Sequence, residues 1–542
     1  MAEPRDITPL PDLARDTTSV GPTRTRMPIY LDFLPPCNNA CPAGENVQEY
    51  LRLVKEGQPH QAWLELVKDN PFPAIHGRVC YHPCETACNR GLLDEAISIH
   101  GVERYLGDLA LAENWQFDPP QRRSDFRVLI IGCGPAGLSA AYHLARLGHT
   151  VEVRDGAEEP GGMMRYGIPE YRLPREVLDA EVDRLRHLGV TFVQNSWVKD
   201  LLAEQAEGRF DAVFVAIGAG RGKHVDIPAM DASRLVDAVT FLKDVASGSR
   251  PVIGRRVAIY GGGNTAMDAA RVARRLGAEE SIVIYRRTEA QMPANPEERE
   301  EARLEGVEMK WLRTIQEVDD QGVKVEIMEL DALGRPHGTG RFETLQADTV
   351  IMAVGQDPDS NFLRRIPGMR FDNDVVTVDP RTLMTDVPGI FAGGDAVPSE
   401  RTVTVGVGHG KRAAHMIDAW LYSRQAPPRI KHPLATYDKL HLWYFGDHNR
   451  RRQSELSVAE RTGFEEIVRG LSPDEASFEA FRCLSCGNCI ECDGCLGACP
   501  EDAVIKLGKG LRYRFDYEKC TGCAECYEQC PVFAIDMVAE HR

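Results

Sequence analysis

The sequence predicts a multidomain α/β chain with a helical segment at its start and a small α+β module at its end. At 542 residues it exceeds what one hydrophobic core sustains. Two strand–glycine turn–helix units occupy its middle. Its sixteen cysteines gather towards the ends, five within 37–88 and ten within 483–530, with Cys133 alone between them. A disulfide framework belongs to small secreted chains, so clustered cysteines in a chain this long point to metal or redox chemistry.

The composition is that of a soluble globular chain, with 43% hydrophobic and 27% charged residues. A formal charge of −17 excludes a phosphate-tracking nucleic-acid binder, which needs positive faces. It suits a basic protein partner or plain solubility. No apolar run reaches the length of a membrane span. The polar start, MAEPRDITPLPDLARD, lacks the order of a secretory signal, so the cytoplasm is the expected compartment.

The C-terminal cysteines form two runs of one spacing: Cys489-x2-Cys492-x2-Cys495-x3-Cys499-Pro500 and Cys520-x2-Cys523-x2-Cys526-x3-Cys530-Pro531. This is the run of bacterial two-cluster ferredoxins, in which the cysteine before proline ligates the opposite cluster. Cys489, Cys492, Cys495 and Cys530 are therefore expected on one [4Fe–4S] centre, and Cys520, Cys523, Cys526 and Cys499 on the other. Zinc sites instead pair two C-x2-C knuckles. Cys483 and Cys486 continue the three-residue step upstream, as spare thiols or as competitors for ligation.

The run VLII (128–131) reads as a buried parallel strand feeding Gly132-Cys133-Gly134-Pro135-Ala136-Gly137 and a helical pattern. A second strand, TVEVRD, ends at Asp155. Such glycines make the tight turn and let backbone approach a pyrophosphate at a helix N-terminus, and the acid suits ribose hydroxyls. The unit recurs in RVAIYGGGNTAMDAARVARRLG, with Gly261, Gly263, Asn264, Thr265 and Ala266 in its turn. There the second strand ends in Arg286 and Arg287, which accommodate a 2′-phosphate and favour NADP(H) over NAD(H). Glu289 nearby weakens that preference. Return strands follow in DAVFVAIGAG (211–220), in DTVIMAVGQD (348–357) with Gly355, and in GIFAGGD (389–395). The order predicts one Rossmann-like domain inserted into another, placing two dinucleotides face to face as hydride transfer requires.

These stretches resemble the small subunit of glutamate synthase and its relatives over about residues 37–425. The matching segments are GRVC-x3-C-x3-C, GCGPAG, PGGMMRYGIPEYRLP, GGGNTAMDAARVARRLGA, YRRTEAQMPA and PGIFAGGDAV. The resemblance implies FAD in the first fold and NADPH in the inserted one. It implies that Gly161, Gly162, Met163 and Arg165 line the flavin, and that Asp395, after Gly394, meets the linker region of FAD. Flavoproteins that reduce disulfides carry a C-x-x-C pair beside the flavin. None lies between Cys133 and Cys483, so electrons are expected to leave towards iron–sulfur centres. Cys133 reads as packing within its loop.

In the resembled family the N-terminal helical domain binds two [4Fe–4S] clusters and uses a C-x2-C pair before the position of Cys37. Residues 1–36 contain no cysteine. Five thiols do not ligate two cubes, so one N-terminal cluster is expected. The family pattern implies Cys41, Cys80 and Cys84, with Glu103 as fourth ligand. Cys37 and Cys88 are then left over, or supply that fourth ligand themselves.

The expected boundaries are a helical cluster domain at 1–121 and FAD-binding parts at 122–235 and 348–425. The inserted nucleotide domain covers 236–347, a connector 426–482 and the ferredoxin module 483–542. The expected activity is hydride transfer between nicotinamide and flavin, with single electrons passing to the clusters. No protein nucleophile is needed, since the cofactors carry the chemistry. The expected partner is a catalytic subunit of the 2-oxoacid:ferredoxin oxidoreductase type. The alternatives are the small subunit of glutamate synthase, an electron donor to dissimilatory sulfite reductase, and a cluster-carrying adapter or redox sensor.

Overall fold

A computed structural model describes residues 24–540, apart from 224, 230–234, 320–321 and 426–431. The MAEPRDITPLPDLARD stretch lies outside the described residues.

Two parallel five-stranded sheets form the centre. In the first the strand order is Ile390–Ala392, Ala212–Val215, Arg127–Ile131, Thr150–Arg154 and Thr191–Val193. Side chains alternate across a strand, and the sequence uses this to build two cores. Val128 and Ile130 point into the cluster that holds the Pro135–Arg146 and Val403–Leu421 helices. Leu129 and Ile131 point to the other face, against Leu363 and Val376.

The second sheet orders Glu308–Trp311, Glu280–Tyr285, Arg256–Tyr260, Thr349–Met352 and Leu235–Asp237. One face carries the Asn264–Arg275 helix. The other is covered by an antiparallel meander, Arg313–Asp319, Gly322–Leu330 and Pro336–Leu345, through Ile315, Val318, Val323 and Val325. This moves a boundary. The sequence pattern closes the inserted domain at 347, whereas Thr349–Met352 pairs inside its sheet with Arg256–Tyr260 and Leu235–Asp237. Both return strands look alike in sequence, and only pairing tells them apart. The chain crosses between the two domains at Arg221–Gly222 and Gln356–Asp357, which pair with each other as a short antiparallel ribbon.

The N-terminal helices are Val47–Lys55, Pro59–Leu66, Pro73–Val79 and Ile99–Ala112. The third and fourth cross with their backbones in contact. A Cβ on Gly77 would lie 2.4 Å from Arg104 Cβ, and one on Gly107 would lie 2.2 Å from Ala74 N. That approach sets Cys80 beside Glu103. The connector does not stay a connector. Its last helix, Pro473–Arg482, starts at a capping box of Ser472 and Glu475 and joins this domain, with Leu471, Ala476 and Ala480 packed among Tyr50, Leu51 and Leu106.

The C-terminal module pairs Val504–Lys506 with Tyr513–Phe515. Its last strand, Ile535–Ala539, pairs antiparallel with Arg26–Tyr30. The 1–121 boundary is thus corrected as well, because its first strand belongs to the far end of the chain. Arg24 Nε donates to Glu540 Oε2 at 2.9 Å, and the Tyr30 ring stacks on Phe515 at 4.8 Å. Among the described residues no helix is long and apolar enough to cross a membrane.

Candidate cofactor and cluster sites

The two glycine turns are built alike. Gly132 holds φ +105°, and a Cβ there would lie 2.2 Å from Ala216 O. Gly261 holds φ +149°, and its Cβ would lie 2.1 Å from Ala353 O. Both positions therefore require glycine. A Cβ on Gly137 would lie 1.9 Å from Gly132 O, so helix and strand touch there, and Ala266 is buried at the matching place in the second unit. The middle glycines face open space instead. Gly134 meets only Gly162 Cα at 4.0 Å, and Gly263 meets nothing within 4 Å. Each caps a helix that has no side-chain cap, leaving backbone N–H groups directed at that space. These are cradles of the shape and polarity that a pyrophosphate fills.

Both cradles open into one cleft of about 950 Å³. Gly132, Gly134, Pro135, Ala136, Asp155, Gly162, Met163, Gly394 and Asp395 line one side. Gly261, Gly263, Asn264, Thr265, Arg286, Arg287 and Gly355 line the other. Asp155 also braces its loop, accepting from Cys133 N at 2.6 Å and Ala157 N at 2.7 Å. Burial raises Asp395 to about 6, against the opposing charge of Arg401. Arg165 is engaged within its own loop and by the following helix. Its Nε donates to Pro160 O at 2.6 Å and its guanidinium pairs with Asp179, which stiffens the loop that the resemblance places on the flavin. Glu289, which weakened the phosphate reading of Arg286 and Arg287, is taken up by Arg303 at 2.8 Å and Arg299 at 3.4 Å.

The cysteines fall into four groups. Cys80 leaves the Pro73–Val79 helix, and its neighbours Val79 and Tyr81 wall the cleft. Its Sγ accepts from Thr404 Oγ1 at 3.1 Å, on the helix that follows the Gly393-Gly394-Asp395 turn. Burial raises Cys41 and Cys84 well above the ordinary thiol range and Cys80 to about 12. Glu103 stands against this group, and so does Glu45, which sequence reasoning missed. Asn70 Nδ2 lies 2.8 Å from Glu103 Oε1 and 2.9 Å from Glu45 Oε1. Burial raises Glu45 to about 7 and Glu103 well above the carboxylate range. Burial disfavours the ionised forms of such thiols and acids, and a nearby cation would offset that cost.

The second group joins thiols from the two ends of the chain. Cys37 and Cys88 line one small hollow with Cys483 and Cys486, walled by Leu51, Ile97 and Ile99. Burial raises Cys37 well above its ordinary range, with Cys88, Cys483 and Cys486 adding to the effect. The C-x2-C pair absent upstream of Cys37 thus arrives from the other end of the chain. The signal was present in FRCLSCG (481–487), a C-x2-C pair outside the two ferredoxin runs.

The ferredoxin cysteines sort across the two runs. Cys495 is raised to about 11 by burial, with Cys489, Cys530 and Cys492 around it, and Tyr30 Oη lies 3.4 Å from its sulfur. Cys499, Cys520, Cys523 and Cys526 line a separate hollow. Of the sixteen cysteines Cys523 alone is exposed.

Sulfur spacing separates cubes from single ions. Four thiolates on one zinc, at about 2.3 Å each, stand about 3.8 Å apart. Among the described residues, the metal-capable triads whose donor atoms all fall within 4.8 Å are His82–Glu85–His100 and Glu45–His76–Glu103, and neither contains a cysteine. No group of three cysteine sulfurs there is as tight as those triads, which disfavours a single ion held by thiolates alone.

Known proteins fit this layout. Residues 126–410 match the pyridine nucleotide-disulphide oxidoreductase family. Residues 33–115 match domain II of dihydropyrimidine dehydrogenase, a 4Fe-4S cluster domain, and 513–536 a 4Fe-4S binding domain. The β subunit of NADPH-Fe(3+) oxidoreductase from Geobacter sulfurreducens is 34% identical over 84% of this chain and 75% of its own length. The β subunit of NADP(+)-dependent formate dehydrogenase from Moorella thermoacetica is 35% identical over 83% and 70%. The small chain of glutamate synthase [NADPH] from Azospirillum brasilense is 31% identical over 73% and 88%.

Proposed function

The chain belongs to the pyridine nucleotide-disulphide oxidoreductase family, and on that premise we propose that it is the nucleotide-handling subunit of a larger redox complex, with four [4Fe–4S] centres leading from a flavin to an exit at Cys523. It is an iron–sulfur oxidoreductase for FAD and NADP(H), with cluster domains at both ends. One observation carries the route: Val79 and Tyr81, either side of Cys80, wall the same cleft as both phosphate cradles. Bound there, FAD supplies hydride acceptance from the nicotinamide and one-electron exchange with iron–sulfur centres.

The residues present fit both dinucleotides. Gly134 and Gly263 leave room for the pyrophosphates, and the uncapped helix N-termini neutralise their charge. Arg286 and Arg287 reach the cleft, with Glu289 held elsewhere. Thr404 holds the Cys80 sulfur against the flavin-side helix. Beyond Cys80, ligands of successive groups lie three or four residues apart: Cys41 and Cys37, Cys84 and Cys88, Cys486 and Cys489. A step of three or four residues spans at most about 10–14 Å even when fully extended, so neighbouring centres are close. Supply of Cys483 and Cys486 from beyond the connector makes two N-terminal centres the better reading than one.

Replacing Arg286 and Arg287 with alanine should raise KM for NADPH at least tenfold, about 1.4 kcal/mol or more, and leave that for NADH within twofold. Steady-state kinetics with both nucleotides checks it. The pH dependence of flavin retention follows from Asp395, whose acid form is stabilised up to about pH 6. If FAD is held by the carboxylate, affinity is full above pH 6 and falls as pH drops through that value. Flavin fluorescence on refilling the deflavinated protein should show it, and Asp395→Asn should flatten the profile.

The partner proposed for the exposed end is a catalytic subunit of the 2-oxoacid:ferredoxin oxidoreductase type. The formate dehydrogenase relative makes a formate-oxidising subunit the second reading. Anaerobic addition of NADPH to the holoprotein should bleach the flavin and reduce the clusters, and bleaching by dithionite alone would leave only an adapter. Co-purification followed by oxoacid- and formate-dependent NADP reduction decides between the partners. Recovery with a glutaminase subunit would sink both.

A further inference from the structure

Two domains meet at one hydroxyl beside the cleft, and a third joins them through its partner. Tyr81 follows Cys80 in the N-terminal domain, and its Oη accepts from Asn264 Nδ2 at 2.7 Å and donates to Glu298 Oε1 at 3.1 Å. Asn264 is the first residue of the helix behind the inserted domain's phosphate cradle, and its Oδ1 accepts from Asn295 N at 2.8 Å. Glu298 pairs with Arg172, which the flavin-side domain contributes and which also holds both Asp268 oxygens at 2.9 and 3.0 Å. Arg172, Asp268 and Glu298 keep only 12%, 8% and 8% of their side-chain surface exposed. Charge-assisted bonds buried to this degree hold geometry firmly.

The inserted domain is joined to its host by the ribbon of Arg221–Gly222 and Gln356–Asp357. A paired two-strand crossing permits a swing, and a swing would part the two dinucleotides. The Tyr81–Asn264–Glu298–Arg172 group lines or adjoins the cleft and closes it against such motion. The connector adds a second strap, with Ile467 seated in the inserted domain's core and its N–H donating to Tyr171 O at 3.1 Å. The geometry points to Tyr81 as a positioning residue that clasps the inserted nucleotide domain in the orientation from which its nicotinamide reaches the flavin. This rests on the proposed function. It adds that the iron–sulfur domain itself sets the angle of the nucleotide domain, through one tyrosine next to a cluster ligand.

Tyr81→Phe removes the hydroxyl and keeps the ring. In the holoprotein, the rate of flavin bleaching under saturating NADPH should fall at least fivefold by stopped flow. The affinity for 2′,5′-ADP, an adenosine half held by the inserted domain alone, should stay within twofold, as should iron content. Bleaching within twofold of the native rate overturns the clasp. So does a loss of 2′,5′-ADP affinity matching the loss of rate, which would make Tyr81 a local prop of the pocket. A native protein that NADPH fails to bleach would instead overturn the proposed function, which keeps the two failures apart.

Discussion

Replacing Cys483 and Cys486 together with alanine should remove one cube, lowering iron from about 16 to about 12 per chain. The flavin should still bleach with NADPH, because the cleft and the Cys80 group are untouched. Electrons should no longer reach the ferredoxin end, so electron paramagnetic resonance would show its clusters oxidised after NADPH and reduced after dithionite. The expectation follows from the hollow that these two residues share with Cys37 and Cys88. Iron unchanged in the double variant would show that the hollow holds no cluster. Stability should drop too. The same sulfurs tie the start of the chain to a segment more than 390 positions later, and metal binding to a site that exists only in the folded chain contributes to folding.

The second large effect comes from two glycines two positions apart. Gly261→Ala should destabilise the inserted domain by about 3 kcal/mol, since its Cβ would press on Ala353 O at 2.1 Å from a backbone conformation that L residues avoid. Gly263→Ala should fold normally, having nothing within 4 Å. Its methyl would stand where a pyrophosphate approaches, raising KM for NADPH at least tenfold with kcat little changed. Denaturant melts and steady-state kinetics on the two variants give the contrast. Equal stability loss in both would mean that the open face of Gly263 is no cradle.

Those glycines also mark how far local sequence pattern reaches. The turn between strand and helix is local, and its requirements, positive φ at the first glycine and close contact at the third position, are met by residues a few places apart. The same holds for the ferredoxin runs, where cysteines three residues apart share one surrounding, as Cys489, Cys492 and Cys495 do. Motif alone does not show what engages Arg165, whose guanidinium is taken by Pro160 O and Asp179. Tyr81 and Glu45 carried no motif, and their roles come from what lies across from them.

The sequence by itself determined the cofactor classes, the nesting of two dinucleotide units, the two ferredoxin centres and the lack of a disulfide pair beside the flavin. Tertiary structure decided the rest. It placed Cys483 and Cys486 beside Cys37 and Cys88, paired Arg26–Tyr30 with Ile535–Ala539, and assigned Thr349–Met352 to the inserted sheet. Spacing along a chain fixes geometry only over a turn or two. Whether residues hundreds of positions apart meet depends on which faces bury each other, and here the Pro473–Arg482 helix, packing among Tyr50, Leu51 and Leu106, brings Cys483 and Cys486 to Cys37 and Cys88.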